Sequence, residues 1–190
     1  CPVCQRCKVQ KSGCKRTDVE HSVPPPVELG DIITCDWSIL TGWCKARGGE
    51  VDQLVLLDRG TRWLYPHATE TREHEEVMVG FSAFLGSKLV TPKLVYSDNG
   101  PELLKAYKVL GIPFDKSQPH RAATNGVAER AQRTVKEGTS CLLSQAGAQP
   151  DWWVEAARCY CFLHNAWDTI FSGPHAGCTS YQARFKEDCH

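Results

Sequence analysis

"LVYSDNGPELL", residues 94–104, is an apolar run that ends in an acid. Leu94, Val95 and Tyr96 read as a short buried strand, and Asn99-Gly100 is a strong turn signal that stops it. Pro101 suits the first turn of a helix, with Glu102 favourably placed near its positive end. The order is therefore strand, acid, turn, helix, and Asp98 falls at a strand end, where α/β folds keep their chemistry. A simpler reading makes Asp98 the acceptor of an Asx-type turn with the backbone that follows. Companion acids decide between the two.

Working outward, "DIITCDW" (31–37) and "VDQLVLLDRG" (51–60) are β-rich runs joined through Gly42, Gly48 and Gly49, and "RWLYPH" (62–67) adds a third. Three antiparallel strands are expected. "TREHEEVMVGFSAFLGS" (71–87) spaces Val77, Phe81, Phe84 and Leu85 as a helix that crosses to the strand carrying Asp98. A helix over 101–110, a short strand in "GIPFDK" (111–116) and a loop in "SQPHRAATNG" (117–126) follow. A long helix is then expected from about Asn125 to Ala146, and Pro150 opens another, in which Trp153, Ala157 and Cys161 recur at a spacing of four. The pattern predicts an α/β layered domain.

The chain of 190 residues with 42% hydrophobic composition can bury one core of ordinary size. Lys plus Arg and Asp plus Glu both number 22, so overall charge says nothing about nucleic acid and any such case rests on local clustering. There is neither a long uninterrupted apolar stretch nor a basic-then-apolar leader, so a soluble chain with no membrane partner is expected. Of the 11 cysteines, Cys35, Cys141, Cys159 and Cys161 lie in apolar patterns and read as reduced core thiols. The chain begins at Cys1 and its single methionine is Met78, as expected of a piece of a longer translation product. A basic, Cys-rich segment (1–22) and a Pro-rich linker (23–30) stand out by composition, and a core (31–172) and a C-terminal extension (173–190) are expected to follow.

Two further acids accompany Asp98. Asp36 lies at the end of the first strand run and Glu129 in the first turn of the long helix. Carboxylates side by side repel one another unless a divalent metal neutralises them. Hard oxygens suit magnesium or manganese, and two such ions about 4 Å apart clamp the attacking and leaving oxygens of an in-line phosphoryl displacement.

"CDWSILTGW" (35–43), "YSDNGPELL" (96–104), "SQPHRAATNGVAERAQRTVKEGTSCLL" (117–143) and "WWVEAARCYCFLHN" (152–165) resemble the integrase core of LTR-retrotransposon and retroviral Pol polyproteins, the last two being closest to the copia-like branch. The resemblance implies an RNase H-like mixed five-stranded sheet flanked by helices, preceded here by a truncated Cys-rich segment. It implies a DDE-type polynucleotidyl transferase in which Asp36 bridges two Mg2+ or Mn2+ ions, Asp98 holds one and Glu129 the other. Asp58 in "LLDRGTRW" matches the family's second-strand aspartate, which is not a ligand, and is the chief decoy. Between Asp98 and Glu129 stand 30 residues, five fewer than the family's usual spacing, with the shortening expected before Pro119.

On the long helix Glu129, Arg133 and Lys136 share an outward face opposite Val127, Ala131, Val135 and Leu142. By itself that is a solvated face with a Glu-Arg pair; the resemblance instead sends Arg133 and Lys136 to the phosphates of the element's DNA end, with His120 and Asn125 on the loop approaching it. Cys1 and Cys4 have the Cys-x2-Cys spacing of half a zinc site. The family's paired histidines would precede them, so zinc is expected only in the intact N-terminal domain, unless Cys7 and Cys14 complete a site; otherwise residues 1–22 should pack poorly on the core. The function implied is integration of element DNA into target DNA by 3'-end processing and strand transfer, as a homo-oligomer, in the nucleus or an intracellular virus-like particle. The alternatives are an inactive relic that binds nucleic acid or other subunits, and an RNase H-type nuclease.

Overall fold

The computed structural model describes residues 1–7, 25–39, 45–86, 90–116 and 122–189. The three β-rich runs form an antiparallel meander of β1 (Ile33–Ile39), β2 (Asp52–Asp58) and β3 (Leu64–Thr69). β1 pairs with β2 from Ile33 opposite Asp58 to Ile39 opposite Asp52. Helix α2 (His74–Leu85) then carries the chain over to β4 (Val95–Ser97), and α3 (Pro101–Leu110) carries it on to β5 (Phe114–Lys116). Both crossovers give parallel pairs, β1 with β4 and β4 with β5, as helix-length connections allow. The sheet order is β3-β2-β1-β4-β5, a mixed five-stranded sheet.

Each face of the sheet is covered by one pair of helices. Ile33, Cys35, Leu54, Leu56 and Val95 pack against Val77, Phe81 and Phe84 of α2 and Leu103 and Tyr107 of α3. On the other face Val55 and Leu64 meet Ala131 and Val135 of α4 (Ala122–Ala146) and Ala157 and Cys161 of α5 (Trp153–Trp167). A 3-10 turn, Pro150–Trp152, separates these two helices. Full burial of each large side chain in these layers contributes roughly 1.5–3 kcal/mol. Asn165 fastens α5 to the edge strand: its Oδ1 accepts the Leu64 N–H at 3.0 Å and its Nδ2 donates to the Leu64 carbonyl at 2.8 Å.

Both chain ends pack on this framework. Helix α1 (Pro2–Cys7) lies against α4, where Cys7 Sγ and Ser144 Oγ come within 3.5 Å, so the described part of the segment expected to pack poorly is docked. The segment read as an extension contains α6 (Ser180–Phe185), whose Arg184 donates to the Phe84 carbonyl at 2.7 Å and stacks on Trp63, 4.6 Å from the ring centre. Neither helix has enough apolar periodicity of its own to be read from sequence; both are short and held by tertiary contacts.

Two expectations are corrected. Asp36 lies in the middle of β1 and not at its end, because pairing with β2 extends the strand through Ile39. Cys35 and Cys161 are buried thiols, but Cys159 is exposed and Cys141 only partly buried, since on a helix the neighbours of core positions turn away from the core. Among the described residues, no helix is long and apolar enough to cross a membrane.

Candidate active site

The parallel register of β1 and β4 places Ile33 opposite Val95 and Thr34 opposite Tyr96. Two residues further along both chains come Asp36 and Asp98. The β1–β4 pairing ends at Thr34 and Tyr96: Asp36 continues β1 and projects from the same face of the sheet as its cross-strand partner, while Asp98 directly follows the end of β4 at Ser97. Val55, the antiparallel partner of Asp36, packs against α4 and α5, which identifies that face as the one those helices cover. The acid pair leaves its mark on the residue between: the Cys35 thiol is pushed up to about 12, first by burial and then by the negative charges of Asp36 and Asp98, against the opposing hydrogen bond from Tyr107.

Asp98 also makes the turn that the simpler reading expected. Its Oδ1 accepts the Gly100 N–H at 3.2 Å, and the Ser97 hydroxyl donates to the Asp98 carbonyl at 3.0 Å. The turn fixes the carboxylate where β4 ends, so the two readings describe one arrangement.

Gln132 ties α4 to the sheet: its Nε2 donates to the Trp37 carbonyl at 2.9 Å, one residue beyond Asp36. One helical turn before Gln132, on the same flank of α4, stands the exposed Glu129; Arg133 and Lys136, both half-buried, continue that flank. Among the described residues, however, no group of three His, Cys, Asp or Glu side chains lies close enough together to hold a metal ion. The structure thus brings Asp36 and Asp98 near the same Cys35 thiol and leaves Glu129 on α4, without gathering the three carboxylates into one cluster. His120 and Cys14 lie outside the described residues, as do the side chains of Asn125 and Cys4. Cys1 is exposed and free, and Cys7 is free and partly buried.

Asp58 plays a different part. It stands opposite Ile33, three residues along β2 from the partner of Asp36, about 10 Å away. Fully buried, it accepts the Gly30 N–H at 2.9 Å, the Thr61 N–H at 2.7 Å and the Thr61 hydroxyl at 2.8 Å. Burial raises its pKa above the ordinary carboxylate value and these hydrogen bonds oppose the rise. It organises the β2–β3 turn.

Sequence reasoning passed over Arg59. Its Nε donates to Thr34 Oγ1 at 2.5 Å and its guanidinium lies 5.1 Å from the centre of the Tyr96 ring. Thr34 and Tyr96 are paired across β1 and β4, each two residues before an acid in the sequence, so a part-buried cation lies at the seam that leads to Asp36 and Asp98. The available signal was its position directly after a strand-ending acid, in "DRG".

No protein-family model matches the chain. A curated relative is the retrovirus-related Pol polyprotein from transposon TNT 1-94 of Nicotiana tabacum, 30% identical over 131 residues, which cover 64% of this chain and 10% of the polyprotein. The chain thus spans about a tenth of that relative's length. Among solved structures, a chain of the simian T-cell lymphotropic virus intasome in complex with PP2A regulatory subunit B56 gamma superposes with a TM-score of 0.66 at 15% identity, covering 90% of this chain and 60% of its own. The HTLV-2 integrase catalytic core domain, in a trimeric form with magnesium, gives 0.62 at 17% identity over 84% of this chain and 99% of its own. The catalytic core domain of BIV integrase gives 0.55 at 18% identity over 83% and 95%. The mixed five-stranded sheet with its flanking helices is the fold of those cores.

Proposed function

From the premise that this chain has the fold of retroviral integrase catalytic cores and a sequence relative in a plant transposon's Pol polyprotein, we propose that it is the integrase core of a retroelement and joins element DNA to target DNA. The observation that carries the reading is the parallel pairing that brings β1, which carries Asp36, alongside β4, which Asp98 directly follows. Two paired hard carboxylates are a donor set for Mg2+ or Mn2+. Asp36 and Asp98 would hold the ions, with Glu129 brought in from α4. Bound there, the ions supply Lewis-acid polarisation of the reacting phosphodiester.

The chain's own residues supply position and charge. Backbone pairing of β1 with β4 brings the segments that carry the two aspartates to one seam of the sheet. Arg133 and Lys136 approach the phosphates of the DNA end, which α4 holds over the acids. Water cuts the element's strand near its end, and the freed 3'-hydroxyl attacks a phosphodiester of target DNA; each step makes one P–O bond as it breaks another. The chain acts as a homo-oligomer, in the nucleus or in an intracellular virus-like particle.

One observation favours a second reading, a relic that binds DNA without catalysis: Glu129 does not form one cluster with the aspartates. A strand-transfer assay in magnesium, on duplex ends of the element, separates the two. The integrase reading expects joined products that vanish with Asp36→Asn, Asp98→Asn and Glu129→Gln while DNA binding persists. Binding without joined products under any divalent ion would establish the relic, and cleavage confined to an RNA–DNA hybrid would establish a nuclease.

A further inference from the structure

On the flank of α4 away from Gln132, two adjoining cavities of about 360 and 600 Å3 share Arg62 and His164 as their common wall. Arg130 and Thr134 line the first, and Trp167 and Phe171 line the second. Together they make one open groove that starts beside the turn of α4 carrying Glu129 and runs past the C-terminal end of α5.

Its chemistry is unusual for a solvated surface. Trp167 is 75% exposed and Phe171 96% exposed. Phe171 is not on a loose tail: Ile170 donates its N–H to the Cys178 carbonyl at 2.8 Å and accepts the Gly177 N–H at 2.9 Å. Arg62 and Arg130 are both exposed, and among the described residues neither forms an ion pair. Arg130 turns its Nε to the Gly126 carbonyl of its own helix at 3.0 Å. The acid in the groove, Asp168, shares a hydrogen bond of 2.6 Å with His164. Arg62 holds a left-handed backbone, φ 61°, a conformation that favours glycine, and so places a long cation where the β2–β3 turn meets the groove.

Exposed cations followed along one groove by exposed aromatic rings are what a polynucleotide strand needs: the cations follow its backbone and the rings accept its bases. A paired base offers no free face, so the occupant is single-stranded. We propose that this groove binds a single strand of DNA leading away from the acid site, with phosphates on Arg62 and Arg130 and unpaired bases stacked on Trp167 and Phe171. The inference rests on the reading of the chain as DNA-acting, and its continuity with that site comes from Arg130 following Glu129 directly.

The test uses the whole 190-residue chain. Anisotropy of labelled oligo(dT), against a blunt duplex of equal length, is measured over a series of salt concentrations. Replacing Trp167 and Phe171 together by Ala should weaken oligo(dT) binding by about tenfold for each stacked base and leave the duplex unaffected. Replacing both by Tyr, which keeps the rings, should retain most of the affinity. Arg62→Gln should reduce the slope of log affinity against log salt by about 0.7. The inference is overturned if the Ala pair binds oligo(dT) like the parent, if the Tyr pair loses as much as the Ala pair, or if the Ala pair loses only self-association by light scattering. Success here with no strand transfer would sink the catalytic reading and leave the groove standing; strand transfer with no change in these variants would do the reverse.

Discussion

Tyr107 of α3 and Cys35 of β1 share a buried hydrogen bond of 2.9 Å, one residue from Asp36 and on the opposite face of the sheet. It braces the β1–β4 edge of the acid site from behind. Tyr107→Phe keeps the ring contacts with Phe81 and Phe114 and removes only the hydroxyl. Urea unfolding should show a loss of about 1 kcal/mol. The same burial that raises the Cys35 and Cys161 thiols keeps them protonated. In the native chain iodoacetamide should modify Cys1 and Cys159 and spare Cys35 and Cys161, as peptide mapping would record.

Asp31 links the segment before β1 to the sheet. Lys93 holds its Oδ1 at 2.6 Å, and its Oδ2 accepts the N–H groups of Val27 and Glu28, both at 2.9 Å. The Lys93 bond, ahead of the two backbone N–H groups and against partial burial, lowers the carboxyl from 3.8 to about 2. The folded chain therefore binds fewer protons than the unfolded one, so the stabilisation is complete above pH 3.8 and is lost as pH falls through about 2. Asp31→Asn should flatten that part of the acid-denaturation curve, followed by circular dichroism. The buried Asp58, with a raised pKa, works in the opposite sense and favours the fold as pH falls through the carboxylate range.

At Gly138, α4 lies directly against the Tyr160 ring of α5. A Cβ there would fall on the Tyr160 ring, closer than van der Waals packing permits. Gly138→Ala should cost roughly 1–3 kcal/mol by overpacking, although alanine is the better helix former. Gly138→Ala combined with Tyr160→Leu should recover part of the loss. A melting temperature for the single variant at or above that of the parent would show that the helices can part without penalty.

Arg133 and Lys136 distinguish a DNA-reading flank from a wet one. Replacing both by Ala should reduce the slope of log affinity for duplex ends against log salt by about 0.9 for each phosphate left without its cation. Thermal stability should hardly move, because neither side chain makes an ion pair among the described residues. An unchanged salt slope would leave α4 with an ordinary solvated face.

Local chemistry sufficed for the order of strands and helices from β1 to α5, though not for α1 or α6. Alternating β-branched runs, the Asn99-Gly100 turn, Pro101 at a helix start and the 3.6-residue spacing on α2, α4 and α5 are short-range signals, and the structure follows them. The same signals marked Asp98 as a strand-end acid, whereas Asp58 was set aside by the family resemblance. What they could not supply was register. Where β1, which carries Asp36, lies along β4, which Asp98 follows, is decided by packing Ile33, Cys35 and Val95 against α2 and α3. The place of Glu129 depends on how Gln132 seats α4 on β1, and the groove between Arg130 and Phe171 on the docking of α5 and the β2–β3 turn. Such relations join residues tens of positions apart, where no local propensity acts, so only the assembled core could fix them.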